Sequence, residues 1–325
     1  MKRRRILIGL GALPLLTGTI SCDLQPTLTI ASHIWPGYEF LFLARARGWL
    51  PERVELRETA SATDSLDRLV AGEVMGAGLT LDEVLSARAQ GVPLTIVLVF
   101  NISAGADMLI AQPDIASLAD LRGRRVGVET TAVGALMLSK LMATAGLREH
   151  EIEVVHLVVD PRTNPFTDGA LADGPLAAVI TYHPQATRLL AQGYRRLFDS
   201  RSIPEAIYDV LAVRTDLPRP LRTPLRELIA AHFRALAFKH RNPQTAAFSM
   251  AERLGVTGQQ AAEIFSDLTL PGLDSNRALL GPDGRVHSVA ERIGAFMIAS
   301  GLLDHPDPLL DLTSAAFLPR RDIAP

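Results

Sequence analysis

The sequence has little of what disulfide-bonded proteins and common hydrolases depend on. Its 325 residues include one cysteine, Cys22, so no disulfide can form within the chain. The eight histidines show neither H-E-x-x-H spacing nor a paired metal-ligand pattern, and no G-x-S-x-G motif occurs. We therefore expect no catalytic residue, no metal and no cofactor.

The chain also has a small net charge and few aromatic side chains. The formal net charge is -2, and no basic block occurs beyond the extreme N-terminus, which argues against a nucleic-acid partner. Aromatic residues make up 5% of the chain and only two are Trp, so each aromatic residue in a turn is informative. With 48% hydrophobic residues, the chain predicts a packed globule of one large domain or two ordinary ones.

The N-terminus has the layout of a signal peptide. Basic residues 2–5 precede an apolar run at 6–16, which is shorter than the ~20 residues of a membrane-spanning helix. Ser21 directly before Cys22 resembles a lipobox, although Thr19 stands where that pattern usually has Leu. We expect residues 1–21 to be removed and Cys22 to be lipidated, which would hold the protein at a membrane surface. Plain secretion and an uncleaved anchor are the alternatives.

From residue 27 onward, short apolar runs alternate with helical patterns, which predicts an α/β fold with mostly parallel sheets. The pattern is clearest at residues 30–50, where a strand, a Pro36-Gly37 turn and a helix follow one another. Trp35, Tyr38 and Glu39 lie at that turn. Ligands bind at such turns in open α/β sheets, so we expect half of a ligand cleft here.

Two crossings between lobes are predicted. A run at 94–100 that is apolar except for Thr95 is typical of a strand buried on both faces, and small residues at 101–107 lead directly into another strand. A return crossing is predicted at 208–212, because the chain after residue 225 becomes almost entirely helical. We therefore expect lobe 1 to comprise residues 26–105 and 210–325, and lobe 2 to comprise residues 106–209.

Further candidate ligand contacts lie at other predicted strand ends and helix starts. Each has an ordinary structural alternative: a helix N-cap, a hinge turn, a core Trp or a surface ring. Together with the first turn, the candidates are Trp35, Tyr38, Glu39, Thr80, Asp82, Ser103, Asp107, Glu129, Thr130, Thr131 and Tyr182.

The charge of the ligand is left open by these residues. Free N–H groups at helix N-termini favour an anion. However, Glu39, Asp82, Asp107 and Glu129 lie on the same predicted rim without an evident cluster of Arg or Lys. A ligand with an amine or a heteroaromatic ring is therefore as good a hypothesis as an oxyanion.

Four segments resemble the substrate-binding proteins of nitrate/sulfonate/taurine-type ABC importers: residues 35–38, 43–50, 105–107 and 115–129. The resemblance implies a type II periplasmic-binding fold, in which two α/β lobes on a two-stranded hinge close over a small molecule. It also implies a monomer that delivers its ligand to an ABC permease, in the periplasm or on the outer face of the cytoplasmic membrane. Tyr182-His183-Pro184 stands where many relatives carry Trp-Glu-Pro, which puts the identity of the ligand in doubt.

Two other functions fit the same fold. One is a ligand-binding sensor lipoprotein, and the other is an enzyme of the pyrimidine or thiamine-precursor type. The predicted export signal argues against a cytosolic biosynthetic enzyme.

Overall fold

The computed structural model describes residues 26–167 and 174–320. The predicted signal segment and the predicted lipidation site, Cys22, lie outside these ranges. No helix within them combines the length and the apolarity that a bilayer crossing requires.

The first part of the chain alternates strands and helices, as its hydrophobic pattern predicts. Local capping explains where the helices start: the Ser61 hydroxyl accepts a hydrogen bond from the Asp64 N–H at 3.1 Å, and Thr80 and Glu83 form a capping box. The elements are β1 (Leu28–Ser32), α1 (Glu39–Ala46), β2 (Val54–Glu58), α2 (Ala62–Val70), β3 (Gly76–Thr80), α3 (Leu81–Ala89) and β4 (Leu94–Ser103).

The middle of the chain repeats this alternation. Its longest helix starts where the Thr131 hydroxyl accepts from the Gly134 N–H at 3.0 Å and ends at Gly146, whose φ of +63° is left-handed. The elements are β5 (Asp107–Ala111), β6 (Arg125–Glu129), α4 (Ala132–Ala145), β7 (Glu153–Leu157), β8 (Ala178–Tyr182), α5 (Gln185–Ala191) and β9 (Arg195–Asp199).

The last part of the chain is mainly helical. Leu268 and Thr269 pair with the end of β4. A short helix at 273–279 begins directly after Pro271-Gly272. The elements are β10 (Tyr208–Arg214), α6 (Arg222–Arg241), α7 (Pro243–Leu254), α8 (Gly258–Ile264), β11 (Leu268–Thr269), α9 (Leu273–Leu279) and α10 (Arg285–Ala299).

The strands form two mixed sheets, which confirms the predicted α/β class. The first sheet has the order β2-β1-β3-β10-β4-β11, and the second has the order β7-β6-β8-β5-β9. In each sheet, three neighbouring strands run parallel, and β10 or β5 adds an antiparallel strand beside them. Residues at or just after the carboxyl ends of β1, β3, β6 and β8 line one cleft, so the strand ends of the two sheets face each other across it.

Two linkers cross between the sheets and are tied together. The first leads from Ser103 to Asp107, and the second spans residues 200–207. The Ser200 hydroxyl lies 2.7 Å from the Ser103 hydroxyl and accepts from the Gly105 N–H at 2.7 Å. The return crossing predicted at 208–212 is wrong, because those residues belong to β10, which pairs with β3 and β4 in the first sheet.

A buried asparagine completes the pairing of β4. Asn276 on α9 is fully buried, and its side-chain oxygen accepts from the Val99 N–H at 2.7 Å while its Nδ2 donates to the Val99 carbonyl at 3.2 Å. The side chain thus takes the place of a neighbouring strand and holds α9 against β4, which leads to the first linker.

Replacing Asn276 by Ala is expected to lower the free energy of unfolding by about 2–4 kcal/mol, because it leaves a buried N–H and a buried C=O without partners. Urea denaturation measures this change. Ser249→Ala, at an exposed helical position, is the control and should change stability by less than about 0.5 kcal/mol. Equal stability of the two variants would contradict the assigned role of Asn276.

Candidate ligand-binding site

A cavity lies between the facing strand ends of the two sheets. About 550 Å³ of empty space lies between the wall atoms when the open solvent at the mouth is included, and about 50 Å³ of it is accessible to the centre of a water-sized sphere. Both lobes contribute walls, and the lining residues are His33, Trp35, Ala62, Thr80, Glu83, Asp107, Glu129, Thr131, Val133, Gly134, Val159, Ile180, Thr181, Tyr182 and Asp209.

Trp35 forms the wall on the first-lobe side and is held in a fixed position. Its indole N–H donates to the Asn101 side-chain oxygen at 2.9 Å, and the ring is buried. Gly37 permits this approach, since a Cβ there would lie 1.8 Å from the same oxygen. Trp35 therefore lines the cavity and also belongs to the hydrophobic core of the first lobe.

Behind Trp35 lies a buried hydrogen-bond network centred on Asp209. Its carboxyl accepts from the Asn101 amide at 2.7 Å and from the Tyr38 hydroxyl at 3.2 Å. Burial raises the pKa of Asp209 well above its usual value, and the Asp107 charge adds to that rise. Tyr38, a predicted site residue, thus supports the cavity from behind. Asp209 was not among the predicted site residues, because its segment, 208–212, was predicted to be a crossing between the lobes.

Asp82 joins the two lobes below the cavity. Its side-chain oxygen accepts from the backbone N–H groups of Ala132 at 3.0 Å and Val133 at 3.2 Å, at the N-terminus of α4. Burial raises the pKa of Asp82, and these N–H groups oppose that rise. The first lobe therefore supplies the acceptor for the free N–H groups of a helix in the second lobe.

The residue next to Asp82 also reaches the cavity and was not among the candidates. Glu83 accepts from the Thr80 N–H at 2.8 Å, completing the capping box of α3, and its side chain lines the cavity. Burial raises the pKa of Glu83, and the Asp82 charge contributes. The sequence signal was present, since a Thr followed three residues later by Glu is a capping box.

The second-lobe wall carries Asp107, Glu129 and Tyr182, all predicted from the sequence. Burial raises the pKa of Asp107 to about 6 and that of Glu129 to about 7. Glu129 accepts from the Val159 N–H at 3.2 Å. The buried Asp107 Oδ2 and Tyr182 hydroxyl have no hydrogen-bond partner.

His33 is a further cavity residue that sequence reasoning did not select. It is buried, its Nδ1 has no hydrogen-bond partner, and its ring makes edge contacts with Tyr38 at 5.3 Å and Tyr182 at 6.3 Å. Burial, with help from the nearby Arg253 charge, lowers the pKa of His33 to about 3. The imidazole is therefore neutral at physiological pH.

Five predicted residues do not line the cavity: Tyr38 and Asp82, described above, and Glu39, Ser103 and Thr130. Glu39 is buried behind the turn and forms an ion pair with Arg253 on α7, so it does not line the cavity. The Thr130 hydroxyl lies on the surface near the ring of His156. Ser103 belongs to the linkers described above. Thr80 and Thr131 do line the cavity, and Thr131 also caps α4.

The lining is acidic. Among the residues that the structure describes, it includes four carboxyl groups, those of Glu83, Asp107, Glu129 and Asp209, and no Lys or Arg. The structure within residues 26–167 and 174–320 contains no cluster of His, Cys, Asp and Glu arranged to hold a metal ion. The arrangement can bind a small molecule through carboxyl, hydroxyl and imidazole groups from both lobes.

Two α/β lobes joined by two linkers, with a cavity between facing strand ends, define a periplasmic-binding-protein fold, as the sequence predicted. The chain belongs to the NMT1/THI5-like family, whose profile matches residues 35–246, nearly two thirds of its length. No curated protein sequence matched the chain.

Solved structures with the same fold are distant in sequence. The periplasmic aliphatic sulphonate binding protein SsuA from Escherichia coli is 18% identical, with a TM-score of 0.68 over 88% of this chain and 91% of that protein. The ligand-binding component of an ABC-type import system from Staphylococcus aureus is 15% identical, with a TM-score of 0.71 over 90% and 98% of the two chains. The desulfurization enzyme DSZB is 19% identical, with a TM-score of 0.65 over 90% and 97%.

Replacing Glu129 by Gln is expected to stabilise the ligand-free protein at alkaline pH. Because the folded-state pKa of Glu129 is raised, its contribution to stability is complete below the unfolded-state pKa and is lost as pH rises through about 7. Gln keeps an acceptor for Val159 and removes the charge. We expect the free energy of unfolding to rise by about 1–3 kcal/mol at about pH 8 and to stay the same at about pH 4.

Urea titrations at the two pH values measure this difference. The control is Glu153→Gln, an exposed carboxylate at the end of the neighbouring strand farther from the cavity, which should leave stability nearly unchanged at both pH values. A gain for Glu129→Gln of the same size at both pH values would contradict the raised pKa as its cause.

Proposed function

We propose that this protein is the extracytoplasmic solute-binding component of an ABC importer, which binds a small molecule between its lobes and delivers it to a permease. The observation that carries this proposal is the cavity itself. It takes its walls from both lobes, and three of its buried polar side chains, His33, Asp107 and Tyr182, each have an atom without a partner. Such atoms are costly to bury unless a ligand satisfies them.

Proteins of similar structure support the same function, but they do not identify the ligand of this chain. One structural neighbour is a periplasmic sulphonate-binding protein and another is a component of an ABC-type import system. DSZB, an enzyme, shares the fold, so the fold by itself does not decide between binding and catalysis. The fate of the bound molecule is therefore the property to measure.

The binding function is tested by identifying what the purified protein holds. We expect one small molecule at about one per chain, released on denaturation and recovered unchanged after incubation with fresh protein. Tyr182→Ala should lower its occupancy at least about tenfold, because it removes an aromatic wall and a hydroxyl that face both lobes. Mass spectrometry measures occupancy and chemical change together.

Tyr194→Ala is the matched control, since Tyr194 stacks on Phe166 at 4.5 Å in the same lobe, away from the cavity. It should retain the ligand. Conversion of the molecule into a product would favour an enzyme, and equal occupancy in the two variants would overturn the proposed site.

The proposed location follows from the N-terminal segment. We propose that Cys22 is lipidated after removal of residues 1–21, which would place a monomeric binding protein on the outer face of the cytoplasmic membrane or in the periplasm. Expressed at full length, the protein should sediment with membranes, and Cys22→Ser should move most of it to the soluble extracytoplasmic fraction. Retention of the full-length protein in the cytosol would contradict export, and membrane retention of Cys22→Ser would contradict the lipid anchor.

A further inference from the structure

We propose that the cavity selects a small organic cation, an ammonium or amidinium group carried on a compact apolar body, with Asp107 as its main charged contact. This inference rests on the proposed binding function and specifies the class of ligand. Four features of the cavity lead to it: carboxyl groups without a matching cation, unpartnered buried atoms, an anion site that is already filled, and aromatic walls.

The carboxyl groups of the cavity lack the arginine partners that some other carboxylates of this chain have. Glu39 pairs with Arg253, and Asp307 pairs with Arg88 at 2.7 Å. An uncompensated buried charge is costly, so pairing of this kind is the rule. The four carboxyl groups of the lining accept hydrogen bonds at most. Among the described residues of the cavity wall, no cationic side chain lies beside them.

The clearest of these groups is Asp107. Its side chain is 6% exposed, and its Oδ2 makes no hydrogen bond. The unpartnered Nδ1 of His33 and hydroxyl of Tyr182 line the same cavity from opposite lobes. An ammonium or amidinium group has several N–H donors, which a carboxylate, a neutral imidazole and a phenol can all accept.

The backbone N–H groups at the N-terminus of α4, which could otherwise bind an anion, already have acceptors within the protein. The Asp82 side chain accepts from the N–H groups of Ala132 and Val133, and the Thr131 hydroxyl accepts from that of Gly134. Helix α4 therefore has no free first-turn N–H at these three positions. A sulphonate in the cavity would also meet the carboxyl groups of Asp107 and Glu129 without a compensating cation.

Aromatic rings supply the surface for the apolar body. Trp35 from the first lobe and Tyr182 from the second meet edge to face, with ring centroids 5.6 Å apart. Their π-systems attract a cation placed over them and also pack against an apolar group. The ring pair is thus compatible with both ends of the proposed ligand.

Release of protons on ligand binding makes the affinity depend on pH, which is a second observable for the proposal. Asp107 and Glu129 are partly protonated near neutral pH without a ligand, and a bound cation favours their ionised forms. Cation affinity should therefore rise with pH through this range. The other titratable or charged groups around this pair are His33, Tyr38, Asp82, Glu83, Asp160, Tyr182, Asp209 and, beyond His33, Arg253.

The test compares three probes that share a phenyl ring and differ in charge: benzylamine, benzyl alcohol, which matches benzylamine in shape, and benzenesulfonate. Isothermal titration with the full-length protein, stripped of bound molecules, gives their affinities. We expect benzylamine to bind at least about tenfold more tightly than the other two. Its affinity should rise at least about tenfold between about pH 6 and about pH 8, a range in which benzylamine stays protonated.

Asp107→Asn separates charge from shape, because the two side chains have the same size. It should weaken benzylamine at least about tenfold and change benzyl alcohol by less than about twofold. The matched control, Asp274→Asn, removes one exposed carboxylate on the first lobe and should leave both affinities unchanged. Retained binding of benzyl alcohol shows that the Asp107 variant is folded.

Several results would overturn the cation assignment. They are benzenesulfonate binding as tightly as benzylamine, no binding of benzylamine up to about 10 mM, and equal effects of the Asp107 and Asp274 variants. An unchanged affinity of benzylamine between the two pH values would do the same. A co-purified anion that Tyr182→Ala loses would refute the cation and leave the binding function intact. Equal occupancy of the Tyr182 and Tyr194 variants would refute the binding function itself.

Discussion

The contact of Asp82 with the start of α4 is the interaction on which the cavity depends. Asp82 lies just after the end of β3, and Ala132 and Val133 lie just after the end of β6, so one carboxyl group brings corresponding points of the two sheets together. Because the contact is buried, its hydrogen bonds are not exchanged for bonds to water while the lobes are together. The facing strand ends and the cavity between them follow from this contact.

The distribution of arginine divides the structural carboxylates from those of the site. Where a carboxylate has only a structural role, as at Glu39 and Asp307, an arginine from a distant part of the chain neutralises it. Burial still raises the pKa of Glu39 to about 7, as it raises that of Glu129 to about 7 and that of Asp107 to about 6. The cavity carboxyls differ in that no arginine is among the described residues that line the cavity. Local destabilisation of this kind is typical of binding sites, where a ligand supplies what the protein lacks.

Local sequence patterns were sufficient to predict most of the helices and strands, because strand-length apolar runs and capping residues act over a few positions. The return crossing was misplaced because β10 reads as an isolated apolar strand, and only its pairing with β3 and β4 shows which sheet it joins. The site was partly predictable for the same reason: Trp35 and Tyr182 lie at strand ends. Glu39 was misjudged because its partner, Arg253, is 214 residues away, and Asp209 was missed because strand register alone brings it beside Thr80.

The hydroxyl of Ser200 has a mechanical consequence for the molecule. Since it contacts both Ser103 and Gly105, the two linkers cannot bend independently without breaking a buried hydrogen bond. Gly105 adopts a φ of +124°, and a Cβ there would lie 2.7 Å from the Arg201 guanidinium, so the first linker also packs closely against the second. A rotation of one lobe against the other that separates the two linkers would therefore have to break these hydrogen bonds.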